Sequence, residues 1–76
     1  MLEKRSLSLS GHRTSVALEP EFWAALERLA AARGWSLGAL IAATDAARPP
    51  ARPLASALRV LALGETIIPN ALDVDP

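Results

Sequence analysis

Hydrophobic and polar residues alternate along the chain between residues 13 and 18, and this pattern predicts a short, half-buried β-strand. Successive side chains of an extended segment point to opposite faces. One face is β-prone and largely apolar, and the other is small and polar with a single cation. The two sets are Thr14, Val16 and Leu18 against Arg13, Ser15 and Ala17.

Helical spacing of apolar residues starts directly after this strand and predicts two short helices. Pro20 suits the first helical turn, where its missing N–H costs nothing, and Gly34 suits the helix end. Ser36 is a good N-cap for the second helix, which carries almost no charge on its remaining faces. We expect the inward-facing residues to form the core of a dimer: Val16, Leu18, Phe22, Leu26, Leu37, Leu40 and Ile41.

A third helical pattern follows the proline-rich segment 48–53, which predicts a stiff linker. Leu54, Leu58 and Leu61 recur on one face of this helix. Gly64 is expected to end it.

The two ends of the chain are expected to lie outside the folded part. Residues 1–11 are polar and Ser-rich and predict a flexible arm, whereas 65–76 hold an apolar pair, Ile67 and Ile68, between acidic ends. The second segment predicts either a brief extended stretch or a disordered tail. The folded domain is therefore expected to span residues 12–64.

The predicted strand has no clear partner elsewhere in the chain, because the only other extended candidate is the very short run 66–68. A lone strand leaves the backbone groups of both edges unpaired. Pairing with a second copy across a two-fold axis satisfies one edge of each strand. It also accounts for 51% hydrophobic residues in a chain of only 76 residues. The sequence therefore predicts a homodimer with an antiparallel two-stranded ribbon.

Composition argues against several classes of function. The chain has no cysteine and one histidine, His12, so we expect no disulfide, no metal and no cofactor. There is no glycine-rich phosphate loop, and Glu19 and Glu21 are explained by a helix N-terminus, so we expect no enzyme. The N-terminus lacks an apolar signal region, and no apolar run spans a bilayer. A cytoplasmic protein without membrane contact is expected.

Three motifs occur in order: "HRTSVALEPEFW", "SLGALI" and "SALRV". Together they resemble a family of short bacterial ribbon-helix-helix proteins, over about residues 10 to 63. The resemblance implies a mainly α fold with one N-terminal strand, an intertwined homodimer and a DNA-binding function. The third C-terminal helix is an addition to that plan.

In the ribbon-helix-helix superfamily the ribbon enters the major groove, where base edges display a readable pattern of donors and acceptors. The resemblance places Arg13, Ser15 and Ala17 against the bases. Arg13 can bind guanine with two hydrogen bonds, and Ser15 can bond several bases. Ala17 stands where the family often has arginine and can touch only a thymine methyl.

The resemblance also implies contacts to DNA phosphates. The superfamily anchors a phosphate on the start of its second helix, here the N–H groups of Ser36, Leu37 and Gly38. Two cations of the expected arm, Lys4 and Arg5, are expected to add phosphate contacts.

The function implied is that of a transcriptional regulator that binds double-stranded DNA as a dimer. The zero net charge and Ala17 favour an alternative, a protein-interaction module on the same fold with weak or lost DNA binding. Such a module, antitoxin-like or an oligomeric adaptor, would hold a protein partner through residues 54–76. The same residues could instead join dimers into a tetramer.

Overall fold

A computed structural model describes the backbone of residues 1–74 and the side chains of residues 1–64. Two strands form an antiparallel hairpin, and the core lies between one face of this hairpin and the helices. The elements in chain order are β1 (Glu3–Leu9), β2 (His12–Leu18), α1 (Pro20–Arg33), α2 (Leu37–Ala47) and α3 (Leu54–Val74).

The strand β1 corrects two expectations. Residues 1–11 are not a flexible arm, and β2 has a partner inside the chain. The cause is the two-residue turn between the strands, in which Ser10 and Gly11 have φ values of 51° and 81°. Two successive positive φ values are typical of the type I′ turn, whose twist matches that of a tight hairpin. The Ser-rich composition of β1 hides the alternation with Leu7 and Leu9 that marks it as a strand.

The predicted ends of α1 and α2 are confirmed. Pro20 is the first residue of α1, and Gly34 follows its last turn with φ 71°. The Gly34 N–H donates to the carbonyl of Ala31, which is part of the usual glycine cap. The hydroxyl of Ser36 accepts the N–H of Ala39 at 3.0 Å and caps α2. The segment 48–53 lies between α2 and α3, as the linker prediction requires.

The expectation that Gly64 ends the third helix is wrong, because α3 continues to Val74. A glycine inside a helix costs only about 1 kcal/mol relative to alanine, so one glycine does not stop a helix by itself. The expected domain boundary at residue 64 therefore falls within α3. The side chains of Ile67 and Ile68 lie outside the described residues.

The single chain closes a core of its own. Five of the seven residues expected in a dimer core are buried in it, and Phe22 and Leu37 pack against it while partly exposed. Trp23 is 1% exposed because β1 covers it, and its indole N–H donates to the Glu3 carbonyl at 2.8 Å. The five buried members of the expected set are Val16, Leu18, Leu26, Leu40 and Ile41.

Candidate nucleic-acid interface

The face of the hairpin that points away from the core is polar and carries no carboxylate. The register pairs Lys4 with Ala17, Ser6 with Ser15 and Ser8 with Arg13, and all six share this face. Only Ala17 among them is partly buried, and the other five are exposed. We call this set the outward face: Lys4, Ser6, Ser8, Arg13, Ser15 and Ala17.

Two cations stand at diagonal corners of the outward face. Lys4 is opposite Ala17, and Arg13 lies four residues before Ala17 on β2. Four residues at about 3.3 Å each and one strand spacing of about 4.8 Å put the two α-carbons about 14 Å apart. Ser6 and Ser15, which pair directly across the two strands, lie between Lys4 and Arg13. Two positive charges therefore flank a patch of hydroxyl groups. Such a face suits a polyanion that also offers hydrogen-bond acceptors.

Arg5 lies on the opposite, inward face of β1. Its guanidinium donates to Glu3 at 2.6 Å and to Glu27 at 2.9 Å, and it lies over the Trp23 ring at 4.5 Å from the centroid. The hydrogen bonds with Glu27 and then Glu3 raise the pKa of Arg5 above its usual value. Arg5 therefore fastens β1 to α1, and the outward face receives its β1 cation from Lys4 alone.

The first turn of α2 presents backbone N–H groups. The first N–H groups of a helix have no acceptor within it, and only that of Ala39 is taken by the Ser36 hydroxyl. Gly38 is exposed, and a Cβ built on it would meet no atom within 4 Å. Ser36 is exposed and Leu37 is partly buried, so an anion could approach the first turn of α2. The predicted phosphate contact requires this access.

A second surface lies between α2 and α3. It is an apolar groove with a volume of about 370 Å³. Arg33 lies at its edge, with the guanidinium 5.5 Å from the centroid of the Trp35 ring. Trp35 is 44% exposed and Val60 52% exposed. The groove is lined by Arg33, Trp35, Leu40, Ala43, Thr44, Ala47, Ala57, Val60 and Leu61.

The structure brings the three expected base contacts, Arg13, Ser15 and Ala17, onto one face, in agreement with the alternation of β2. Sequence reasoning missed Ser6 and Ser8, which share that face. The available signal is the run Ser6–Leu9, in which serine and leucine alternate with the period of a strand. His12 is the first residue of β2, directly after the turn.

Comparison with known proteins identifies the domain type. A family model described as the ribbon-helix-helix domain matches residues 2–66. No curated protein and no solved structure matches the chain. The matched range contains both strands of the hairpin as well as α1 and α2. Within the described part of the chain, no helix is long and apolar enough to cross a membrane.

Proposed function

This chain belongs to the ribbon-helix-helix family, and from that membership and its outward face we propose that it is a homodimeric DNA-binding protein that regulates transcription. Members of the family are typically dimeric DNA-binding regulators, and their domains are generally not enzymes. The observation that carries the proposal is the composition of the outward face. A chain with eight acidic and eight basic residues places two cations, three serines and no acid there.

The dimer is proposed to form along the free edge of β2. Residue pairs of an antiparallel ladder alternate between hydrogen-bonded and non-hydrogen-bonded, and a two-residue turn is closed by a hydrogen-bonded pair. Counted from Leu9 and His12, the N–H and C=O groups of Arg13, Ser15 and Ala17 point away from β1. Within residues 1–74 no further strand covers that edge. A second copy placed there satisfies these groups by antiparallel pairing.

The outward residues of β2 are proposed to face the bases of the major groove. Arg13 can donate two hydrogen bonds to guanine, which distinguishes that base by about 1–3 kcal/mol. Ser15 is a weaker and less selective partner, and Ala17 offers only a methyl contact. Phosphate contacts are assigned to Lys4 and to the open first turn of α2. Arg5 is left out because both of its carboxylate partners lie within the chain.

The test is a fluorescence anisotropy titration with DNA fragments selected by the protein from a random pool. A dimer that neutralises about four phosphates should lose affinity with a log–log salt slope near −3.6. Arg13→Ala should weaken binding by about 1–3 kcal/mol and relax the preference at one position in each half-site. Arg28→Ala removes an exposed arginine on α1 and serves as the matched control. Absence of binding at about 50 mM salt, or a flat salt response, contradicts the proposal.

A second candidate function is a protein-interaction module, and the apolar groove between α2 and α3 favours it. Exposed Trp35 and Val60 line this groove, and isolated monomers seldom leave such residues clustered at the surface. Light scattering of the wild type and of a Trp35→Ser, Val60→Ser variant tests this role. A higher oligomer that the variant reduces to a dimer supports the tetramer alternative, and an unchanged dimer removes it.

A further inference from the structure

The position of β1 in the sheet decides how the protein meets DNA, and the inference below rests on the proposed function. If a second copy pairs along the free edge of β2, then β1 is the outer strand of each subunit. The sheet then has four strands in the order β1, β2, partner β2, partner β1. In this order the outward residues of β1 stand on both sides of the central pair.

The width of that sheet is set by strand spacing. Three intervals of about 4.8 Å separate the axes of the two outer strands by about 14 Å, before side chains are added. The major groove of B-DNA is about 12 Å wide and admits a two-stranded ribbon. A four-stranded sheet is therefore too wide to enter as a whole. The central strands lie over the groove, and the outer strands lie over the sugar–phosphate walls.

The outward residues of β1 have the chemistry of backbone contacts. Lys4 provides a cation, while Ser6 and Ser8 provide hydroxyl donors, and these groups commonly bond phosphate oxygens. Serine is short, but a strand that lies directly over the wall needs little reach. The acid of this strand, Glu3, is on the opposite face and pairs with Arg5. No carboxylate of β1 therefore meets the phosphates.

We infer that Lys4, Ser6 and Ser8 of each subunit bind the DNA sugar–phosphate backbone on the two walls of the major groove. The flanking strands hold the central pair at the mouth of the groove. Arg13, with the longest side chain on the outward face of β2, is then the residue that reaches a base edge directly. Ser15 has a shorter side chain and remains the weaker base partner.

Three variants test the inference in the full chain: Lys4→Gln, the double variant Ser6→Ala, Ser8→Ala, and the control Arg28→Gln. Lys4→Gln should reduce the salt slope by about 1.8 per dimer, since one phosphate contact per subunit is lost at about 0.9 each. The double serine variant removes four hydroxyls per dimer and should weaken binding about tenfold or more. Both losses should be equal for preferred and unrelated DNA, because backbone contacts do not read sequence.

A second measurement locates the contact on the DNA. Single phosphates along both walls are replaced by uncharged methylphosphonates, one at a time. At the phosphate that Lys4 binds, the replacement should weaken wild-type binding but leave the Lys4→Gln variant unaffected. Circular dichroism and urea unfolding confirm that each variant is folded.

The outcomes separate the inference from the proposed function. If the Lys4 and serine variants bind as tightly as wild type with unchanged slope, while Arg13→Ala weakens binding, β1 does not touch DNA. The inference and the Lys4 phosphate contact then fail, and DNA binding through β2 stands. If the β1 variants weaken binding to the preferred site only, the strand reads bases and the backbone assignment is overturned. If the wild type does not bind DNA, the proposed function itself fails.

Discussion

The guanidinium of Arg5 lies over the indole ring of Trp23, 4.5 Å from its centroid, and the same indole donates its N–H to the carbonyl of Glu3. These two contacts hold β1 on α1 through a half-exposed polar cluster in addition to apolar burial. Glu3 and Arg5, the charged residues of the inward face of β1, are paired with each other. Among the described residues, no buried polar side-chain atom lacks a hydrogen-bond partner.

Replacing Arg5 by glutamine should destabilise the protein by about 1–2 kcal/mol. Two half-exposed ion pairs contribute about 0.2–1 kcal/mol each, and a cation over an indole ring about 0.5–1 kcal/mol. Urea unfolding followed by circular dichroism gives the free energy. Arg28→Gln removes an exposed arginine of α1, and its free energy of unfolding should stay within about 0.5 kcal/mol of the wild-type value. Equal effects of the two substitutions would show that the Arg5 cluster contributes nothing specific.

The hairpin turn should respond in opposite directions to two substitutions. Gly11→Ala should destabilise by about 1 kcal/mol, because φ 81° is unfavourable for a residue with a Cβ. The space around Gly11 is open, so no steric clash adds to this cost. Ser10→Asn should stabilise slightly, since asparagine is preferred before glycine in a type I′ turn. Thermal unfolding of both variants in one buffer measures the difference, and a stabilising Gly11→Ala would refute the turn assignment.

The helices were predictable from the sequence because their ends are encoded locally. Pro20, Gly34 and Ser36 each have a physical preference that depends on one or two neighbours. The hairpin was missed because its turn, Ser10 and Gly11, is a weak turn pair compared with Asn-Gly, and because serine does not favour strands.

The candidate site was predictable only in part. The alternation of β2 places Arg13, Ser15 and Ala17 on one face without knowledge of the fold. Lys4 and Arg5 look equivalent in sequence, but consecutive residues of a strand point to opposite faces, and only Lys4 shares the polar face with Ser6 and Ser8. The alternation of serine and leucine over residues 6–9 separates the two cations once β1 is recognised as a strand, so their different roles were missed together with the hairpin.

Acid should weaken the fold through Glu19. The nearby backbone N–H of Glu19 itself and the hydrogen bond that Arg59 donates at 3.1 Å lower the pKa of the Glu19 carboxyl below its usual 4.5. A carboxyl group with a lower pKa in the folded state stabilises the fold above the unfolded pKa, and this stability is lost as pH falls through the folded pKa. Glu19→Gln should therefore flatten the decrease in melting temperature below about pH 4.5. Glu21→Gln, on the first turn of the same helix, is the matched comparison, and an identical pH profile for wild type and Glu19→Gln would contradict the prediction.

Two substitutions at Ser36 separate helix capping from phosphate binding. Ser36→Ala removes the acceptor for the Ala39 N–H and should cost about 1 kcal/mol in unfolding free energy. Ser36→Asp keeps a capping oxygen and favours the helix dipole, so its stability should equal or exceed that of wild type. The new carboxylate occupies the place proposed for a DNA phosphate, however, and should repel it. Urea unfolding and DNA anisotropy on the same samples should therefore rank the variants in opposite order. If Ser36→Asp binds DNA as tightly as wild type, the start of α2 carries a cap and no phosphate.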